Sequence, residues 1–177
     1  MNYVLLLRGI NVGGNHKVDM AELKNQLLDA GFDQPRSYIN SGNLFFQSAL
    51  SEKIIREYLT HLFEQHYDFP IPFVMLSEAQ LLAEAQALPD WWEEEAYRKN
   101  VLFYLPEADV ALSQEQVAAT GSKRLYFGDY ALFWTIAEQK DYNRSAYHKQ
   151  LGKLPFYKQA SVRNTNTFKK LVEKIGE

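Results

Sequence analysis

The stretch Arg36-Ser37-Tyr38-Ile39-Asn40-Ser41-Gly42-Asn43-Leu44-Phe45-Phe46-Gln47 decides the fold of the first half of the chain. Two short runs containing β-branched and aromatic residues flank the tetrad Asn-Ser-Gly-Asn, whose residue types favour tight turns. This arrangement predicts a β-hairpin with strands at 36–39 and 44–47.

The segments on either side of this hairpin complete a βαββαβ order. Before it, the apolar run Tyr3–Arg8 predicts a buried strand, and a helix follows with Asp19 and Glu22 in capping-box spacing. The apolar stripe of that helix is predicted to contain Met20, Leu23, Leu27 and Leu28, and Gly31 is predicted to end it. After the hairpin, Ser51 is predicted to cap a second helix, and 69–76 forms an edge strand.

The same order of elements recurs in the second half. A helix opening at Ser77 and a segment from Pro89, with Trp91 and Trp92, lead into a strand over 101–105 and a helix that Ser113 and Gln116 are predicted to cap. A hairpin about Gly128-Asp129, a helix over 145–151, a strand over 160–163 and a terminal helix capped by Thr165 follow. We therefore expect an α+β chain of two similar halves, 1–88 and 89–177, with an added C-terminal helix.

Composition narrows the classes of function. The 177 residues have a formal net charge of −3, and the acidic balance argues against a surface that neutralises nucleic-acid phosphates. The chain has no cysteine, which excludes disulfides and thiolate chemistry, and its histidines lack the spacing of a metal site. No membrane span or signal segment is predicted, so we expect a cytoplasmic protein. The sequence identifies neither a cofactor nor the oligomeric state, and both stay open.

Two polar segments are predicted to meet at one edge of the first sheet. In a βαββαβ unit, the loop after the first strand and the turn between the second and third strands emerge at the same edge. The candidate ligand-binding residues there are Arg8, Asn11, Gly13, Gly14, Lys17, Asn40, Ser41 and Asn43. Free backbone amides, a helix N-terminus and two cations suit a phosphate or a carboxylate. The alternative is that these residues serve only the geometry of turns.

A second polar segment precedes the terminal helix. Arg163 and Asn164 are candidates for holding an anion there, and the alternative is a helix cap beside a locally paired arginine. No nucleophile has an identifiable base, so no catalytic residue can be named and the existence of a reaction stays open.

Several of these motifs resemble an uncharacterised bacterial family, the domain-of-unknown-function family numbered 1697. The similarity lies in Leu6-Leu7-Arg8-Gly9-Ile10-Asn11-Val12-Gly13-Gly14, Lys17, Tyr38-Ile39-Asn40-Ser41-Gly42-Asn43 and Arg163-Asn164-Thr165-Asn166-Thr167. Asn166 stands where the family commonly has Trp. The resemblance implies a tandem repeat of two ferredoxin-like βαββαβ units without an assigned activity. The resemblance strengthens the prediction of an anion site at the polar loops, because loops that identify a family suggest a functional site.

Three hypotheses of function follow from the sequence. The first is binding of an anionic small molecule, such as a nucleotide or a phosphorylated metabolite, at the edge formed by residues 8–17 and 40–43. The second is single-stranded nucleic-acid binding through strand aromatics, namely Phe45, Phe46, Tyr126, Phe127 and Phe133. The third is a protein-interaction module anchored by Trp91 and Trp92.

Overall fold

A computed structural model describes residues 1–119, 124–143 and 151–177 of the chain. These residues form two compact units, Met1–Leu81 with Glu173–Glu177, and Leu82–Val172. The helix predicted over 145–151 lies outside the described residues except for its last position. The division into domains 1–88 and 89–177 stays a prediction.

The elements of the first unit follow the predicted order. They are β1 (Asn2–Leu7), α1 (Met20–Asp29), β2 (Asp33–Tyr38), β3 (Asn43–Gln47), α2 (Glu52–His66), β4 (Phe73–Ser77) and the start of α3 (Glu78–Gln86). The four strands form one sheet in the order β2-β3-β1-β4, and every pair of neighbours is antiparallel. The predicted hairpin is therefore confirmed as β2 and β3.

Successive side chains of each strand alternate between the two faces of the sheet, and those on one face build the core of this unit. Tyr3, Leu5 and Leu7 of β1 point to one face of the sheet and pack with apolar residues of α1 and α2. Leu23 and Leu27 of α1 are fully buried in this cluster, which confirms part of the predicted stripe. Leu28 was assigned to the stripe wrongly, because it is 52% exposed on the outer face of the helix.

The ends of α1 are fixed by local hydrogen bonds that the sequence predicts. The Asp19 carboxylate accepts from the Glu22 N–H at 2.8 Å and caps the helix. At the other end Gly31 has a φ of 88°, and the N–H groups of Gly31 and Phe32 donate to the carbonyls of Leu28 and Leu27. This pair of bonds is a Schellman motif, which needs a residue that tolerates the left-handed conformation.

The second unit repeats the sheet topology. After a 3₁₀ turn (Asp90–Glu93) its elements are β5 (Arg98–Tyr104), α4 (Val110–Ala118), β6 (Leu125–Phe127), β7 (Ala131–Ile136), α5 (Gln139–Tyr142), a second 3₁₀ turn (Leu151–Lys153), α6 (Pro155–Lys158), β8 (Ala160–Asn164) and α7 (Thr165–Lys174). Its four described strands are ordered β6-β7-β5-β8, again with antiparallel neighbours. The described part of the chain is thus α+β with two four-stranded sheets.

Two helix caps differ from the sequence prediction. Asp109, not Ser113, caps α4, since its carboxylate accepts from the Leu112 N–H at 3.0 Å. Ser113 lies inside the helix and its hydroxyl donates to the Asp109 carbonyl at 2.6 Å. At α7, the Asn164 side chain accepts from the Thr167 N–H at 2.8 Å, so the cap is one residue earlier than predicted. In both cases two polar residues close in sequence are suited to cap the same helix, and the sequence alone does not show which of them does.

Arg36 on the edge strand β2 holds the end of α7, whose last residues belong to the first unit. Its guanidinium donates to the Lys174 carbonyl at 3.0 Å and lies 5.1 Å from the centre of the Phe45 ring. It also pairs with the Glu177 carboxylate at 3.3 Å. A cation at a helix C-terminus is favourable because the free carbonyls there carry partial negative charge.

We expect Arg36→Ala to lower the free energy of unfolding by about 1–2 kcal/mol, through the lost charged hydrogen bond and ring contact. Hydrogen exchange should show the last turn of α7 losing protection. The matched control is Glu177→Gln, which removes the partly exposed ion pairs of Glu177 with Arg36 and Lys174 and should change stability by less than about 0.5 kcal/mol. Equal effects of the two substitutions would contradict this account of Arg36.

Candidate functional site

The loop after β1 and the turn between β2 and β3 meet at one edge of the first sheet. The Leu7 N–H donates to the Gly42 carbonyl at 2.8 Å. Further out, the Asn11 side-chain amide donates to the Asn40 carbonyl, also at 2.8 Å. The predicted juxtaposition of residues 9–17 with residues 40–43 is therefore present.

The glycine-rich loop is a miniature hairpin. The Asn15 N–H donates to the Val12 carbonyl, and the Asn11 N–H donates to the His16 carbonyl, each at 3.0 Å. The two central residues, Gly13 and Gly14, have φ values of 58° and 78°. Positive φ at both central positions is the requirement of a type I′ turn, which glycine meets without strain. Turn geometry thus accounts for both glycines, as the alternative interpretation held.

Asn11 fastens this small hairpin to its surroundings. Its side-chain oxygen accepts from the Val18 N–H at 2.9 Å, and its amide nitrogen donates to the carbonyls of Val18 and Asn40 at 3.0 and 2.8 Å. Its φ of 53° is a left-handed conformation that asparagine tolerates better than most residues. These bonds occupy the Asn11 side chain, so Asn11 shapes the site, and its predicted contact with a ligand stays a prediction.

His16 also anchors the loop. Its ring stacks on Phe69, with centroids 4.4 Å apart and an interplanar angle of 14°. Its Nδ1 lies 3.1 Å from the Gly9 carbonyl oxygen. The histidine therefore pins the base of the loop to the segment before β4.

The β2–β3 turn is equally well determined. The Asn43 side chain is fully buried, and its amide donates to the Tyr38 carbonyl and the Ser41 hydroxyl, both at 3.0 Å. Gly42 has a φ of 84° and lies directly against Leu7 and Ile10. Ile39 has a φ of 52°, which is costly for a β-branched residue, and half of its side chain is exposed. Asn43 is thus a structural residue of the turn.

An open cavity of about 490 Å³ lies between these segments and the start of α1. The described residues that line it are Asn11, Gly14, Lys17, Val18, Asp19, Met20 and Asn40. Neither Gly13 nor Gly14 donates its N–H to an acceptor among the described residues, and both are exposed. A volume of this size suits a small molecule, because ligand sites commonly measure about 300–1,000 Å³.

The cavity lining overlaps only in part with the predicted site. Asn11, Gly14, Lys17 and Asn40 line it, and Gly13 adjoins it in the turn. The other three predicted residues of this edge, Arg8, Ser41 and Asn43, are not in the lining. Asp19, which the sequence predicts as a helix cap that would compete with a bound anion and not as a ligand-binding residue, also lines the cavity. The feature of the sequence that indicates this placement is the position of Asp19, two residues after Lys17 and at the N-terminus of α1.

Arg163 and Asn164 belong to the second unit. Arg163 is 8% exposed, and its guanidinium donates to the Ser161 hydroxyl at 3.1 Å and to the Val162 carbonyl at 2.8 Å. Burial lowers the pKa of this guanidinium to about 10. Asn164 caps α7 as described above. The cap interpretation is therefore correct for Asn164, and an anion-binding role for either residue stays a prediction.

The aromatic residues proposed for nucleic-acid binding and for protein interaction are mostly buried. Phe45, Phe46 and Phe133 are each at most 2% exposed, so these rings are not open to stacking bases. Trp92 is 1% exposed and packs edge-on against Phe133, with centroids 5.2 Å apart. Among the described residues no group of three His, Cys, Asp or Glu side chains could hold a metal ion.

Comparison with known proteins identifies the family. A family model described as "Protein of unknown function (DUF1697)" matches residues 1–133. The chain belongs to the DUF1697 family. The match contains both hairpin segments of the candidate site, whereas Arg163 and Asn164 lie beyond it. None of the curated proteins compared with the chain matches it significantly.

A solved structure, "The structure of conserved bacterial protein SP0830 from Streptococcus pneumoniae", is similar to this DUF1697 member over nearly its whole length. The two sequences are 42% identical, the TM-score is 0.93, and 97% of each chain is covered. Within the described residues, no helix combines the length and the apolar character that a membrane crossing requires.

Proposed function

We propose that the first unit binds an anionic small molecule that also carries hydroxyl groups, such as a nucleotide or a phosphorylated metabolite. The observation that carries the proposal is the cavity of about 490 Å³ lined by Gly14, Lys17 and Asn40, beside two glycine N–H groups that have no acceptor among the described residues. Backbone amides and an ammonium group are the donors that phosphate and carboxylate oxygens accept from most readily.

Asp19 determines which anions fit. Its carboxylate lines the same cavity and uses one oxygen to cap α1. A ligand that placed negative charge there would be repelled, so the anionic group belongs at the Gly14 and Lys17 end. The carboxylate can instead accept a hydrogen bond from a ligand hydroxyl, as acidic residues do for ribose in nucleotide sites. Val18 and Met20 supply the apolar part of the lining.

Two further proposals concern the fold type and the cellular location of the chain. We infer that both units are ferredoxin-like, and the strand orders β2-β3-β1-β4 and β6-β7-β5-β8 with antiparallel neighbours support this. We also assign the chain to the bacterial cytoplasm, where nucleotides and phosphorylated metabolites are found. The absence of cysteine and the similarity to a conserved bacterial protein support that assignment.

We expect Lys17→Ala to weaken binding of pyrophosphate and adenosine monophosphate about tenfold or more, the effect of losing one charge-assisted hydrogen bond. Isothermal titration calorimetry at low salt measures this effect. Lys53→Ala is the matched control, since Lys53 is an exposed lysine on α2 outside the cavity lining. Adenosine, which has the hydroxyls without the anion, should bind much more weakly than its monophosphate. Unchanged affinity in Lys17→Ala, or equal losses in both variants, would contradict the proposal.

A further inference from the structure

The second unit contains a buried carboxylate that the proposed function does not use. Glu84, on α3, is 3% exposed. Its Oε1 accepts from the Tyr130 N–H at 2.6 Å, and the Asp129 N–H faces the same carboxylate. Glu84 thus reaches from the connecting helix to the turn between β6 and β7.

The other carboxylate oxygen fits tightly against the turn. Glu84 Oε2 is buried and has no hydrogen-bond partner among the described residues. A Cβ atom on Gly128 would overlap this oxygen, so the arrangement requires glycine at position 128. The Tyr104 hydroxyl donates to the Gly128 carbonyl at 3.4 Å from the neighbouring strand β5. The carboxyl group is therefore buried against a turn that the Tyr104 side chain also contacts.

The surroundings of Glu84 disfavour its charged form. Burial is the main cause that raises the pKa of this carboxyl, and the Asp129 carboxylate raises it further. The hydrogen bond from the Tyr130 N–H, second in effect to burial, lowers the pKa, and the Asp129 N–H lowers it by a smaller amount. The other titratable group facing it is Tyr104, whose pKa is raised by burial, by Glu84 and Asp129, and then by Tyr126. No cationic side chain among the described residues contributes to the shift in the pKa of Glu84.

We propose that Glu84 is a protonation-dependent latch: its neutral carboxyl group holds the turn 128–130 against α3, and ionisation loosens that contact. The neutral group keeps Oε1 as an acceptor for the turn amides without a buried charge. The ionised group places a buried, unpartnered charged oxygen near the Asp129 carboxylate, which is costly. Because α3 begins in the first unit and ends in the second, the latch acts on one of the segments that join them.

The direction of the pH effect follows from linkage. With the pKa raised in the closed state, the latch is most stable below the ordinary pKa of a glutamate. It weakens as the pH rises from that value to the raised one, and above both values no further change occurs. Within this window one proton is lost on opening, so the opening equilibrium increases by up to about tenfold per pH unit.

Hydrogen exchange of the Asp129 and Tyr130 amides, corrected for the intrinsic pH dependence of exchange, measures opening of the latch. In the unmodified protein, protection should fall with rising pH through the window. In Glu84→Gln, which keeps the Oε1 acceptor and cannot ionise, protection should be independent of pH. Asp129→Asn is the matched control and should retain the slope. A pH dependence of amide protection that survives in Glu84→Gln, or that disappears only in Asp129→Asn, would overturn the proposal.

A second pair of variants tests the geometry without titration. Gly128→Ala should displace the carboxyl group and reduce protection of both amides at every pH. In a Glu84→Ala background the added methyl group meets no carboxylate, so Gly128→Ala should have little further effect there. Equal effects of Gly128→Ala in the two backgrounds would show that Glu84 does not hold the turn.

Discussion

Replacing Gly42 with alanine is expected to lower the free energy of unfolding by about 3–4 kcal/mol. Two costs add. The φ of 84° is a left-handed conformation that costs alanine about 1–2 kcal/mol. In addition, the new Cβ would lie 2.7 Å from the Leu7 Cβ and 2.9 Å from the Ile10 Cδ1, and both neighbours are buried and cannot move away cheaply. Chemical denaturation measures the loss.

Gly31 supplies the matched control for this prediction. Its φ is 88°, nearly the same as that of Gly42, yet nothing lies within 4 Å of the position its Cβ would take. Gly31→Ala should therefore show the conformational cost alone, about 1–2 kcal/mol. If the two substitutions destabilise the chain equally, the turn at Gly42 is not packed against β1 as described.

The second large effect is expected for Asn11→Ala, a loss of about 3 kcal/mol in the free energy of unfolding. The substitution removes the acceptor of the Val18 N–H and the two donors to the carbonyls of Val18 and Asn40. It also places alanine at a φ of 53°. Because Asn11 shapes the cavity, the same variant should lose pyrophosphate binding even under conditions where it remains folded.

Asn11→Gly separates the two contributions to this loss. Glycine adopts the left-handed conformation freely, so this variant loses the hydrogen bonds and keeps the backbone geometry. We expect a loss about 1 kcal/mol smaller than that of Asn11→Ala. An Asn11→Gly variant as stable as the unmodified chain would show that the three side-chain bonds contribute nothing.

The fold could be predicted from the sequence where local signals were strong. The hairpin at 36–47, the cap at Asp19 and the left-handed end at Gly31 depend on neighbouring residues, and all three are present. Ser113 was wrongly predicted as the cap of α4, because Asp109 is also a residue type that caps helices and the spacing to Gln116 does not distinguish them. Leu28 was misassigned because a helical stripe read from sequence has no sharp edge.

The candidate site was harder to predict because its key contact is between residues distant in sequence. The polar segments and their shared edge follow from the βαββαβ order. The role of Asn11 does not, because its bond to Asn40 joins residues 29 apart in the chain. The glycines suggested an anion loop, and the structure assigns them to a two-residue turn whose N–H groups remain exposed. Turn geometry and ligand binding are therefore compatible at Gly13 and Gly14.

The central claim is that the exposed amides of the Gly13-Gly14 turn, together with Lys17, bind an anion. Titration of ¹⁵N-labelled protein with pyrophosphate, followed by amide chemical shifts, tests it most directly. We expect saturable shifts concentrated at Gly13, Gly14 and Lys17, which disappear in Lys17→Ala and persist in Lys53→Ala. Saturable shifts located elsewhere, or no shifts at these three residues at millimolar pyrophosphate, would contradict the account.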